Sequence, residues 1–195
     1  MGSSKDVTIG YFSTVNTETA GWTGGLLVLN AAGRPLEFQC TLPIRPSKAH
    51  EILFGSTLRE HLISEVIGPT LLQKCRTPIS LLCCQQVEAL ALQENLPRVA
   101  SSPTVTSGTT ATDRQATLVG YMRGADETRK AISSPSLAGH CELPIGDATL
   151  FVAMELLEAT QAAIDGLNDM VDATEPFERI TEAIREAQSQ MARAA

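Results

Sequence analysis

Leu26-Leu27-Val28-Leu29 is apolar at every position, the pattern of a strand covered on both faces and therefore central in a sheet. Asn30-Ala31-Ala32-Gly33 follows as a turn, with a glycine free to take positive φ. Beyond it Leu36, Phe38, Cys40 and Leu42 alternate with Glu37, Gln39 and Thr41, which predicts a strand covered on one face only. Segments 26–29 and 36–42 thus read as an antiparallel hairpin. Residues 7–15 are rich in β-branched and aromatic types and add a strand before it, across a loop at Gly21-Trp22-Thr23-Gly24-Gly25.

After Pro46 the period becomes helical. Ser47 to Phe54 reads as a short helix ended by Gly55, and Thr57-x-x-Glu60 as a capping box opening a second helix that Gly68-Pro69 stops or kinks. Ile79 to Cys84 reads as another buried strand, and Val87 to Gln93 as helical. The order is β-β-β-α-β-α. Residues 97–116 are dominated by Ser, Thr, Pro, Gly and Ala and are expected to form a flexible loop. A strand is expected over 116–122 and a short helix over 126–132. In the tail, Asp147 is expected to cap a helix with Ala153, Leu157, Thr160, Ile164, Leu167 and Val171 on one stripe. A second helix near Pro176 carries a seam of Phe177, Ile180, Ile184, Ala187 and Met191 at heptad spacing. The expected class is α+β, a mixed sheet built on the hairpin plus a C-terminal helical pair. Residues 1–146 would form the α+β domain, and 147–195 an acidic pair packed on it or on a partner.

Charge is placed unevenly. From Asp147 onward ten acids face only Arg179, Arg185 and Arg193, which accounts for the whole net charge of −7. A basic footprint is absent, and aromatics at 4% make a base-stacking surface scarce, so nucleic acid is disfavoured as a partner. Five cysteines without a C-x-x-C suit reduced, buried thiols. No secretion signal and no membrane-length apolar run are readable, so a cytoplasmic location is expected.

No complete catalytic constellation can be assembled, and no catalytic, cofactor or metal residue is assigned. His50 and His61 would lie roughly 16 Å apart on a continuous helix, too far to share a metal ion. His140-Cys141-Glu142 has the first half of the zinc-deaminase signature and lacks the second. Cys83 or Cys84 with His140 as base would make a nucleophile only if a nearby cation or helix N-terminus lowered the thiol pKa. P-loop, G-x-G-x-x-G, G-x-S-x-G and H-E-x-x-H patterns are absent. Arg34, Arg45 and Lys48 form a candidate anion-binding cluster.

The order of elements over residues 7–93 is similar to the start of the ribonuclease H-like fold. That resemblance implies carboxylates on the first strand, first helix and fourth strand, holding two metal ions. The first strand offers no acid, the helix offers Glu51, and the fourth strand ends in Gln85-Gln86. Two-metal catalysis needs several converging acids, so the implied site is not present in these residues. Residues 25–58, with Gly33-Arg34-Pro35-Leu36-Glu37-Phe38 and Glu51-Ile52-Leu53-Phe54-Gly55, resemble a bacterial family with no assigned activity, which transfers no functional residues. The leading expectation is a non-catalytic interaction or assembly protein, self-associating or holding a protein partner through Phe177, Ile180, Ile184 and Met191. One alternative is a hydrolase or nucleic-acid-processing enzyme with a divergent site around Glu37, Glu51, His50, His61 or Cys83-Cys84. Another is a small-ligand-binding regulatory domain.

Overall fold

The computed structural model describes residues 7–96, 117–124, 137–167 and 172–194. It is an α+β protein with one mixed seven-stranded sheet in the order β3-β2-β1-β4-β5-β7-β6. The strands are β1 (Thr8–Thr17), β2 (Gly21–Asn30), β3 (Pro35–Cys40), β4 (Leu81–Cys84), β5 (Leu118–Gly124), β6 (His140–Ile145) and β7 (Ala148–Ala153). The expected hairpin is there, with Leu27 opposite Phe38, but β3 ends at Cys40 and Leu36, Phe38, Cys40 and Leu42 are exposed, because β3 is the sheet's edge and its apolar side is left uncovered. β1 pairs antiparallel with β2 and parallel with β4, which in turn runs parallel to β5.

Two helices close the first face. On α6 (Glu175–Ala194), Phe177, Ile180 and Ile184 are buried with Tyr11, Leu27, Leu29, Cys83 and Leu150. The heptad seam is therefore covered by the chain's own sheet, and Met191 is its exposed end. Below it, α5 (Leu157–Asp165) packs its apolar side on the same cluster.

Irregular helices close the second face over Phe12, Leu26, Val28, Leu82, Cys84 and Val119. They are α1 (Lys48–Phe54), α2 (Leu58–Glu60), a π-helical stretch His61–Ile67, α3 (Gly68–Lys74), a 3-10 turn Val87–Ala91 and α4 (Leu92–Asn95). The Gly68-Pro69 step does not stop the helix. Pro69 has no N–H and its ring crowds the carbonyl four residues back, so the chain widens and the Gly68 N–H reaches the Ile63 carbonyl. The expected capping box does not form either, because the Thr57 hydroxyl turns back to donate to the Phe54 carbonyl at 2.9 Å. Ser47 does cap α1 as expected, accepting from the His50 N–H.

Gly24 and Gly25, expected in a loop, lie inside β2 on opposite faces. A side-chain carbon on Gly24 would overlap Ile67, and one on Gly25 would overlap Ile180. The pair lets both helical layers approach the sheet.

Asp147 caps no helix. Gly146, at φ 56°, turns the chain between β6 and β7, and Asp147 instead accepts from the Ala173 N–H at 2.9 Å. The boundary expected after residue 146 thus falls inside a hairpin of the sheet, and among the described residues the stripe from Ala153 is α-helical over Leu157–Asp165, its Val171 lying outside them. The loop expected at 97–116 and the helix at 126–132 lie outside the described residues.

Candidate functional site

Parallel β1 and β4 are neighbours whose chain connections leave in opposite directions, and open sheets bind ligands beyond the carboxyl ends of such strands. Two polar contacts lie there, Ser13 with the Gln85 side chain and the Gln86 side chain with the Thr14 backbone. The Ser13 hydroxyl donates to the side-chain amide oxygen Oε1 of Gln85. Gln86 acts as a short extra strand: its amide oxygen accepts from the Thr14 N–H at 3.0 Å and its NH2 donates to the Thr14 carbonyl at 3.2 Å. The Thr14 hydroxyl is buried without a partner among the described residues, at a cost of about 1–3 kcal/mol for a desolvated polar group.

Two guanidinium–aromatic stacks flank this floor on the second face. On one side Arg59 lies 5.6 Å over the Trp22 ring and also pairs with Glu88. On the other, Arg123 lies 4.9 Å from the Phe151 ring and 5.5 Å from Tyr121, and those two rings stack at 5.7 Å. Trp22 is opposite Asn16, two residues beyond Thr14 on β1, and Phe151 is opposite Tyr121, two residues before Arg123 on β5, so with Gln86, which follows β4, these residues form an oblique band crossing from β2 to β7. At about 5 Å per strand the band is roughly 20 Å long.

Beside it the helical cover ends, leaving a cleft of about 500 Å³ over β5, β7 and β6. Glu60, Glu88, Glu94, Glu155 and His140 line it, with Val119 and Ala153 in its floor. Among the described residues no group of three or more His, Cys, Asp or Glu side chains is placed to hold a metal ion.

The residues singled out from sequence are dispersed. Cys83 and Cys84 are fully buried, one on each face, and desolvation pushes both thiols up, away from the thiolate a nucleophile needs. His140 lies three strands from Cys84, so the two form no pair. His50 and His61 both approach the Phe54 ring, at 6.2 and 4.2 Å, and are closer than a continuous helix would set them. His61 also meets Glu65 at 2.8 Å.

Glu51 pairs with Lys48. Glu37 is a clamp for the loop before β4. Desolvation opposes its ionisation, but the Thr77 side chain, the Thr77 and Arg76 N–H groups and the Gln39 amide outweigh it and lower the carboxyl to about 2. The neighbouring Cys75 is pushed up to about 11 by desolvation and by the Glu37 charge. Arg34 and Arg45 do not share a cluster, because Arg34 follows the Asn30 end of β2 whereas Arg45 follows Ile44, paired with Trp22 at the opposite end. The sequence pointed to none of the stacking arginines; Gln85-Gln86 closing an apolar strand was the one legible trace of the band.

Neither a protein-family model nor a curated protein matches the chain. Solved structures of Endonuclease V from Ciona intestinalis are among those to which the chain is similar. One, a variant with a 23mer DNA containing an inosine followed by a ribo-adenosine, has 12% identity and a TM-score of 0.48 over 96% of this chain and 88% of that one. The other, with a 24mer of the same kind, has 13% identity and a TM-score of 0.43 over the same shares. Both are complexes with DNA, and the expectation that nucleic acid is disfavoured as a partner is corrected on that finding. No helix among the described residues is long and apolar enough to cross a membrane.

Proposed function

We propose that the chain is a nucleic-acid-binding protein of ribonuclease H-like topology that holds single-stranded segments without cutting them. The strand order β3-β2-β1-β4-β5, antiparallel then parallel, supports the topology. The observation that carries the reading is the band at the carboxyl ends of β1 and β4. There a neutral Gln85-Gln86 floor lies between two arginine–aromatic stacks.

Each part of the band matches a feature of a single strand. Bases stack on aromatic and guanidinium faces without regard to sequence, and Gln amides hydrogen-bond base edges. Phosphate contacts are few, and the four glutamates of the adjoining cleft repel a duplex backbone. Affinity is therefore expected to be modest and weakly salt-dependent, since each neutralised phosphate contributes a slope of about −0.7 for single strands.

The two metal ions of that fold do not fit these residues. Ser13 and Gln85 are neutral where paired carboxylates would be required, and they are bonded to each other. No hydrolytic step follows from this donor set.

Fluorescence anisotropy with a labelled single-stranded oligonucleotide tests the reading, alongside a cleavage assay with Mg²⁺ and with Mn²⁺. Saturable binding is expected, weakened about tenfold by Arg123→Ala, with no cleavage. Absence of binding at about 100 µM protein in low salt would overturn the nucleic-acid reading. Metal-dependent cleavage abolished by Gln85→Ala would overturn the non-hydrolytic one.

A further inference from the structure

We propose that a pocket at the far end of the first face is a site for a small organic anion, a carboxylate carrying a short aliphatic chain. The pocket has a volume of about 420 Å³, within the range of small-ligand sites. Thr19, Ala20, Pro43, Arg45, Gln188 and Met191 line it.

The fold builds this pocket from three distant segments. Ile44 and Trp22 exchange backbone hydrogen bonds at 2.7 and 2.9 Å, which lays the chain leaving β3 beside the β1–β2 turn. Arg45 then donates from Nε to the Ala20 carbonyl at 3.3 Å, and among the described residues its guanidinium has no other hydrogen-bond or ion-pair partner. Its outer nitrogens are left for a ligand. The Gln188 amide donates to the buried Thr23 hydroxyl at 2.9 Å and so anchors α6 to β2 at the pocket wall.

Charge selects the ligand's head. The chain carries −7 overall, yet no carboxylate lines this pocket, whereas four line the cleft on the other face. A guanidinium without a counter-charge presents two parallel N–H groups that match a carboxylate. The last carbonyls of α6 carry partial negative charge nearby, and Arg193 in that turn offsets them. Pro43 and the exposed Met191 supply the wall for an aliphatic chain. Of the other expected anion ligands, Lys48 is paired with Glu51 and Arg34 lies at the other end of β2.

A ¹H–¹⁵N NMR titration of the full chain with hexanoate tests the assignment, with hexanol and inorganic phosphate as parallel probes. Hexanoate is expected to saturate in the millimolar range and to shift the Thr19 and Ala20 amides and the Gln188 side-chain amide. Arg45→Gln is expected to weaken it at least about tenfold, with Arg45→Lys in between. Met191→Glu, an exposed helix position, is expected to weaken it as well and keeps the test independent of any change in the Arg45 loop. Hexanol binding as tightly as hexanoate would overturn the charge assignment, and phosphate binding as tightly would overturn the aliphatic one. Unchanged hexanoate affinity in both Arg45→Gln and Met191→Glu, or no saturation by about 50 mM, would overturn the site itself.

Discussion

The two faces of the sheet are closed by different means. On the first, the long amphipathic helix α6 lays Phe177, Ile180 and Ile184 onto β1 and β2 with α5 beside it, and Tyr11 meets Phe177 edge-on at 5.2 Å. On the second, a broken run of short helices with a π-helical stretch covers β2, β1, β4 and the start of β5 at Val119 and then stops. The regular face seals an apolar core. The irregular face leaves polar side chains, arginine–aromatic stacks and an acidic cleft between its pieces. A continuous helix buries one stripe evenly, whereas a segmented cover exposes strand ends wherever it changes direction.

Breaking the regular face is expected to give the largest effect. Ile180→Ala, at a fully buried position, is expected to lower unfolding free energy by about 2–5 kcal/mol in urea denaturation. A loss below about 1 kcal/mol would mean that α6 is not seated on the sheet.

The irregular face responds with the opposite sign at its unpaired hydroxyl. Thr14→Val keeps the shape and removes a desolvated donor, so a gain of about 1 kcal/mol is expected. A comparable loss in the same denaturation assay would show that the hydroxyl holds a partner.

The smallest effect is the pH dependence of the Glu37 clamp on the same face. Its carboxyl is lowered from 4.5 to about 2 on folding. A depressed acid stabilises fully above its unfolded value and loses that contribution as pH falls from about 5 through about 2. The melting temperature of the wild type should therefore drop more steeply over this window than that of Glu37→Gln. Parallel curves would remove the clamp from the account.

Much of the architecture was legible because its causes are local. The apolar run at Leu26–Leu29, the Gly33 turn and the alternation after it specified the hairpin, and the spacing of Phe177, Ile180 and Ile184 specified the buried side of α6. Local pattern misled where apolar spacing was compatible with two periods. Residues 148–153 read as the start of a helical stripe, and the Gly146 turn made them a strand of the β6–β7 hairpin.

What the sequence by itself determined is therefore where the chain turns and which side of β2 and α6 is buried, since hydrophobic period and glycine conformation act over a few residues, whereas the apolar alternation of β3 misled, its Leu36, Phe38 and Cys40 being exposed. Only the tertiary structure decided what those buried faces meet. The α6 seam could have met another subunit on periodicity alone; parallel pairing and sheet order placed it on β1 and β2. The same pairing brought Gln85 to Ser13 and Gln86 to Thr14 across 72 residues of chain. Such contacts depend on long-range closure, whose cost and reward appear only when the whole sheet has formed.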